Sequence, residues 1–130
     1  MRAAALVFAI LSGAAYAQNR PASFEGFEFK PPEPGAPTFV FSTGAATSKS
    51  PIRVSIPGRG LTNADRVYRT NLQKYWLSQH VPLRFKFRTR VMTKCGLEVE
   101  SEHPFCDRYS FFDPQSGEET EYYIYIGNWP

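Results

Sequence analysis

Arg84, Lys86, Arg88 and Arg90 alternate with Leu83, Phe85, Phe87, Thr89 and Val91. Strict alternation is the period of a strand, so the four cations predict one basic sheet face with charges about 6.7 Å apart, close to the repeat of a nucleic-acid or polyanion backbone. The same residues admit a second arrangement, because Glu98, Glu100 and Glu102 alternate too. A register that sets Arg90 opposite Glu98 sets Arg88 opposite Glu100 and Lys86 opposite Glu102, and cross-strand ion pairs then neutralise the stripe. Cys95 and Cys106 bear on the choice, since an exported chain with two cysteines reads as having one disulfide. If they bridge neighbouring strands, the chain reverses near Glu100, the glutamates fall in the loop, and the stripe stays unpaired.

A second candidate surface is aromatic. In the last predicted strand Tyr122, Ile124 and Ile126 face one way, while Glu121, Tyr123 and Tyr125 face the other. Tyr123 and Tyr125 can stack on sugars or bases, anchor a protein partner, or simply pair across strands as sheets ordinarily do. The two histidines, His80 and His103, are the groups able to move protons near neutral pH, but neither has a nucleophile or orienting partner at a recognisable spacing. His80 falls in the last turn of a predicted helix, where a histidine interacts well with the helix dipole. Glu98, Glu100, Glu102, His103 and Asp107 gather five possible ligands, yet the spacing matches no metal loop, and an EF-hand requires a glycine and a terminal glutamate that are not so placed. They read as a solvated acidic loop. No phosphate loop, dinucleotide fingerprint or nucleophile elbow is present, and no cofactor is implied.

The segment Phe24-Glu25-Gly26-Phe27-Glu28-Phe29 resembles a stretch of the fungal guanyl-specific ribonucleases. The resemblance implies a helix before this stretch and a catalytic glutamate on the next strand. Here the predicted helix follows it, Val40 occupies that position and no histidine matches, so no family is assigned.

The elements that would carry these side chains are legible. Residues 1–17 have a charged start, a short apolar run and Ala15-Tyr16-Ala17, the pattern of a secretory signal peptide cleaved before Gln18. Residues 18–37 hold five prolines and predict an extended arm, docked in part through Phe24, Phe27 and Phe29. Residues 38–130 read as one compact domain. Strands are predicted over 38–42, 52–56, 83–92, 105–112 and 120–126, with turn residues at 113–117. Thr62 and Asp65 predict a helix start, and Val81-Pro82 its end. Ala64, Tyr68, Leu72, Tyr75, Trp76 and Gln79 share one face of that helix, leaving Arg66, Arg69 and Gln73 on the other. The fold class is therefore α+β, one helix packed on an antiparallel sheet of about five strands, with a small barrel or sandwich as variants.

Charge is segregated. From Lys49 to Lys94 eleven basic residues stand against the single Asp65, and from Cys95 onward eight acidic residues stand against Arg108. The expectation is a small secreted, non-enzymatic binding protein, a microbial effector or virulence factor or a periplasmic binding or inhibitor protein. Its partner is a host or cell-surface protein or a polyanion, nucleic acid included, and nothing beyond the leader has the length of a membrane span. Its place is extracellular, or periplasmic in a Gram-negative bacterium. Two alternatives stand beside it: a secreted nuclease-like or polysaccharide hydrolase using His80 or His103, and a structural subunit whose arm pairs onto a neighbour's sheet.

Overall fold

The structure is a computed structural model that describes residues 20–98 and 103–130. The predicted leader at 1–17, Glu100 and Glu102 lie outside the described residues. In chain order the elements are β1 (Phe27–Phe29), β2 (Phe39–Phe41), β3 (Val54–Ser55), a 3-10 segment (Asn63–Tyr68), α1 (Arg69–His80), β4 (Lys86–Lys94), β5 (Phe105–Phe112) and β6 (Glu119–Tyr125). The α+β class holds, but two three-stranded antiparallel sheets, β1-β2-β3 and β4-β5-β6, replace the expected single sheet of about five strands. They meet at one parallel bridge between Ile52 and Ile124. The Ile52 amide donates to the Tyr123 carbonyl at 3.0 Å and the Ile52 carbonyl accepts from Tyr125 at 2.8 Å, which covers the outer edge of β6. At the opposite end of this sheet, no strand among the described residues lies beside the far edge of β4.

The arm is an ordered part of the first sheet. Phe24 exchanges two backbone hydrogen bonds with Gly44, and β1 pairs with β2 from Phe27 opposite Phe41 to Phe29 opposite Phe39. Gly26 is required between them, since a Cβ there would stand 2.6 Å from the Phe41 carbonyl oxygen. Arg20 fastens the start of the arm. Its guanidinium donates to Thr120 Oγ1 at 3.0 Å and to the carbonyls of Ala45, Ala46 and Glu121, and lies 4.1 Å over the Tyr122 ring.

Thr62 and Asp65 open the helical region as expected: the Thr62 amide donates to the Asp65 carboxylate at 2.7 Å. The first turns are 3-10, however, and the α-helical hydrogen bonding starts only at Arg69. The helix ends at His80, one residue before Val81-Pro82. Leu72 and Trp76 are buried against Phe39, Phe41, Tyr122 and Ile124, so a single core lies between α1 and the two sheets. Gln73, assigned to the solvent side by periodicity, is instead buried at 1% exposure. Its amide has partners across the interface, and a satisfied polar side chain can occupy a core position.

Candidate functional site

The strand expected over 83–92 begins three residues later. After Pro82 the chain makes a turn in which the Phe85 amide donates to the Pro82 carbonyl at 3.0 Å, and pairing with β5 starts at Lys86. Phe87 lies opposite Phe111 and Thr89 opposite Ser110, which leaves Arg88 as an extra, bulged residue. One inserted residue exchanges the faces of everything beyond it. Phe87, Arg90 and Met92 therefore share the face of Phe111, Tyr109 and Asp107, toward α1. Lys86 lies opposite Phe112 at the start of the strand, where it also borders the space beneath β4, and Arg88 packs over the Phe112 ring at 5.0 Å. The four cations do not form the single face that alternation predicts.

Most of them are also paired. Arg84 meets Asp113 at 3.0 Å and Glu118 at 2.5 Å, Arg88 meets Glu119 at 3.3 Å, and Arg90 meets Asp107 at 3.1 Å. Cross-strand neutralisation thus occurs, with acids from β5, β6 and the turn between them; of the glutamates weighed for it in the sequence, Glu98 makes none of these pairs, and Glu100 and Glu102 lie outside the described residues. Cys95 and Cys106 form the disulfide, with Cα atoms 5.4 Å apart, and it does join the ends of neighbouring strands. The inference that this leaves the stripe unpaired fails because Asp107, Asp113, Glu118 and Glu119 reach it from the other direction. Among the described residues Lys86 has no acidic partner.

Beneath β4 lies a groove of about 770 Å³. Thr70, Lys74, Leu77 and Ser78 recur at three- and four-residue spacing and give it a wall of α1. Val81, Pro82, Leu83 and Phe85 close one end, Lys86, Phe87 and Arg90 come from β4, and Tyr109 and Phe111 from β5 form the floor. The lining is mostly apolar, carries three cations and contains no carboxylate. Leu83 is 91% exposed and Phe87 58% exposed at its mouth. A groove of this size matches the volume of small-ligand sites, which run to about 300–1,000 Å³.

A buried polar network holds the floor. Gln73 Nε2 donates to Asp107 Oδ2 at 2.9 Å, the Tyr109 hydroxyl donates to Gln73 Oε1, and Arg90 donates to Asp107 from the open side. Burial pushes the Tyr109 phenol up to about 12, against an opposing pull from Arg90. At neutral pH it stays an uncharged donor. The network locks α1 to β5 and fixes Arg90 at the groove wall.

The other candidates lie elsewhere. His80 Nδ1 is 2.8 Å from the Trp76 carbonyl, its ring stacks on Trp76 at 4.2 Å, and Phe24 meets it edge-on, so it finishes the helix within an aromatic cluster. His103 is exposed and borders a smaller recess with Arg69, Met92 and Trp129. The two histidines belong to different clusters. Tyr123 and Tyr125 do share the outer face with Glu121, as predicted, but Tyr125 is buried beside the disulfide, with Arg53 4.1 Å over its ring and its hydroxyl on the His103 carbonyl at 2.7 Å. Tyr123 is half-buried. Among the described residues no His, Cys, Asp and Glu side chains cluster as a metal site, and Asp107 is held by Gln73 and Arg90. Nor is any helix among them long and apolar enough to cross a membrane. Lys74, Leu77, Leu83 and Phe87 were not among the site residues that the sequence suggested, Leu83 and Phe87 being read only as the apolar face of the strand. The available signal was an apolar pair, Leu83 in the turn after Pro82 and Phe87 at the start of the strand that follows it.

No family model, curated protein or solved structure matches this chain.

Proposed function

We propose that this chain is an exported, non-enzymatic binding protein whose ligand occupies the groove between α1 and β4 and combines apolar surface with negative charge. One observation carries the reading: an apolar recess rimmed by Lys74, Lys86 and Arg90 and lined by no acidic residue. Apolar contact supplies most of the free energy in such a site, and the few charged groups select the ligand. The reading differs from recognition of a polyanion by a flat basic face, because the three arginines of that stripe are already held by carboxylates. Work outside the cytosol is the setting that the leader pattern and the disulfide suit.

Titration with 8-anilinonaphthalene-1-sulfonate, followed by fluorescence, tests it against the uncharged N-phenyl-1-naphthylamine. The sulfonate is expected to bind more tightly than the neutral probe. Phe87→Ser should weaken both, and Lys74→Glu with Lys86→Glu should weaken the sulfonate alone by about three- to tenfold, the effect of two exposed charge contacts. Equal sulfonate affinity in all three proteins would remove the groove from consideration.

A further inference from the structure

We infer that the partner is an extended segment of another protein, acidic at its ends and apolar in the middle, which adds to the free edge of β4 and lowers side chains into the groove. The inference rests on the groove as the binding site and names what fills it.

β4 is nine residues long, and eight of them are exposed. Antiparallel pairing uses the backbone groups of alternate residues, so half of the amides and carbonyls of β4 point away from β5. The Cys95 amide donates to the Pro104 carbonyl at 2.7 Å, which fixes the phase. Thr93 and Val91 then point their backbone groups at β5, and Arg90, Met92 and Lys94 point theirs outward. Such an edge is a template for another strand. Met92, 66% exposed, and Phe87 present apolar side chains on the α1 face of this same edge. A strand laid there would point every second side chain toward α1 and the groove.

Charge decides between occupants. Every ionisable residue of β4 is basic, and among the described residues Lys86 and Lys94, at its two ends, have no acidic partner. A second copy, paired antiparallel about Arg90, would set Lys86 against Lys94 and Arg90 against Arg90. Like charges directly opposite are destabilising, so self-addition is disfavoured. A segment with carboxylates near both ends meets Lys86 and Lys94 and spans roughly 25 Å, about the length of the strand.

The test uses the oxidised protein and a blocked nine-residue peptide with two glutamates at each end and alternating valine and phenylalanine between. Two further versions are N-methylated at one or the other alternate set of central amides, and a fourth carries lysines for glutamates. Strand addition predicts binding of the parent peptide and at least a tenfold loss on methylating one set but not the other. It also predicts no measurable binding of the lysine version. Met92→Pro, which removes an amide pointing away from β5, should weaken the parent peptide at least tenfold, and Met92→Ala should weaken it less. Sulfonate binding with no peptide binding, or with equal affinity for both methylated peptides, would overturn strand addition and leave the groove standing. Equal affinity for the lysine peptide would overturn it as well. Loss of both ligands would overturn both readings.

Discussion

Replacing Gln73 by leucine keeps its volume and removes the hinge of the buried network. Gln73 donates to Asp107 at 2.9 Å and accepts from the Tyr109 hydroxyl, and all three side chains are almost wholly buried. Leucine would orphan the hydroxyl, at about 1–3 kcal/mol, and withdraw a hydrogen bond from a carboxylate, at about 1.5–3 kcal/mol. The additional apolar burial offsets about 1 kcal/mol. The net cost is about 3 kcal/mol, a large share of the roughly 5–15 kcal/mol that stabilises a domain. Urea unfolding should show a lower midpoint with unchanged slope. Tyr109→Phe alone should cost about 1–2 kcal/mol by orphaning the Gln73 carbonyl. The double variant should cost about 1 kcal/mol less than the sum, because neither partner is then left alone. A single-variant cost under about 1 kcal/mol, or strict additivity, would refute the view that these groups depend on one another.

The same phenol should be visible in an alkaline titration followed at the tyrosinate absorbance. A tyrosine whose folded pKa is raised from 10.0 to about 12 contributes stability that is complete below pH 10 and is lost as pH rises through about 12. The expected result is a tyrosinate component near pH 12 in the folded protein that Tyr109→Phe removes. At the acid end, Arg59, bonded to Asp65 at 2.8 and 3.1 Å, holds that carboxyl down at about 2, with help from Thr62. The Gln115 amide also lowers Asp113. Asp65 so depressed contributes stability above pH about 4 that disappears as pH falls through about 2, and Asp65→Asn should flatten that part of the stability curve measured by thermal unfolding. Reduction of Cys95–Cys106 releases a loop with a sequence separation of 11 and should lower stability by about 3 kcal/mol. A reduced protein as stable as the oxidised one would contradict this.

The elements that a local pattern can specify were legible. Phe105–Phe112 occupies the predicted strand, the turn at Asp113 to Gly117 closes as its residues suggest, and α1 stops before Pro82. Alternation along β6 also assigned Tyr123 and Tyr125 to one face correctly. What local pattern could not supply is partner choice. The break between the two sheets depends on a single parallel contact, Ile52 with Ile124, between segments 72 positions apart. The identity of the acids that hold Arg84, Arg88 and Arg90 depends on the register of a hairpin, and alternating glutamates in the loop were equally plausible by spacing alone.

The two largest departures are physically one event. Alternation is blind to an inserted residue, so nothing in Arg84 to Arg90 announces the bulge at Arg88. That bulge turns Arg90 to the α1 side, where it meets Asp107, and Asp107 in turn gives Gln73 a reason to be buried on the face that periodicity had assigned to solvent. Were Arg88 to alternate regularly between Phe87 and Thr89 instead of bulging, Arg90 would lie on the outer face, Asp107 would lose its cation, and the groove would lose a charged wall. Local rules of strand and helix are broken together at the same place, and that place is the recess with exposed apolar residues at its mouth. Native proteins concentrate such breaks where a site must be built. Deleting Arg88 should therefore give a regular ladder in which Thr89 still lies opposite Ser110 and Arg90 still lies opposite Tyr109 on the α1 face, so a deletion variant that folds should keep its sulfonate binding. Loss of sulfonate binding in a folded deletion variant would show that the groove depends on Arg88 itself and not on the face that Arg90 occupies.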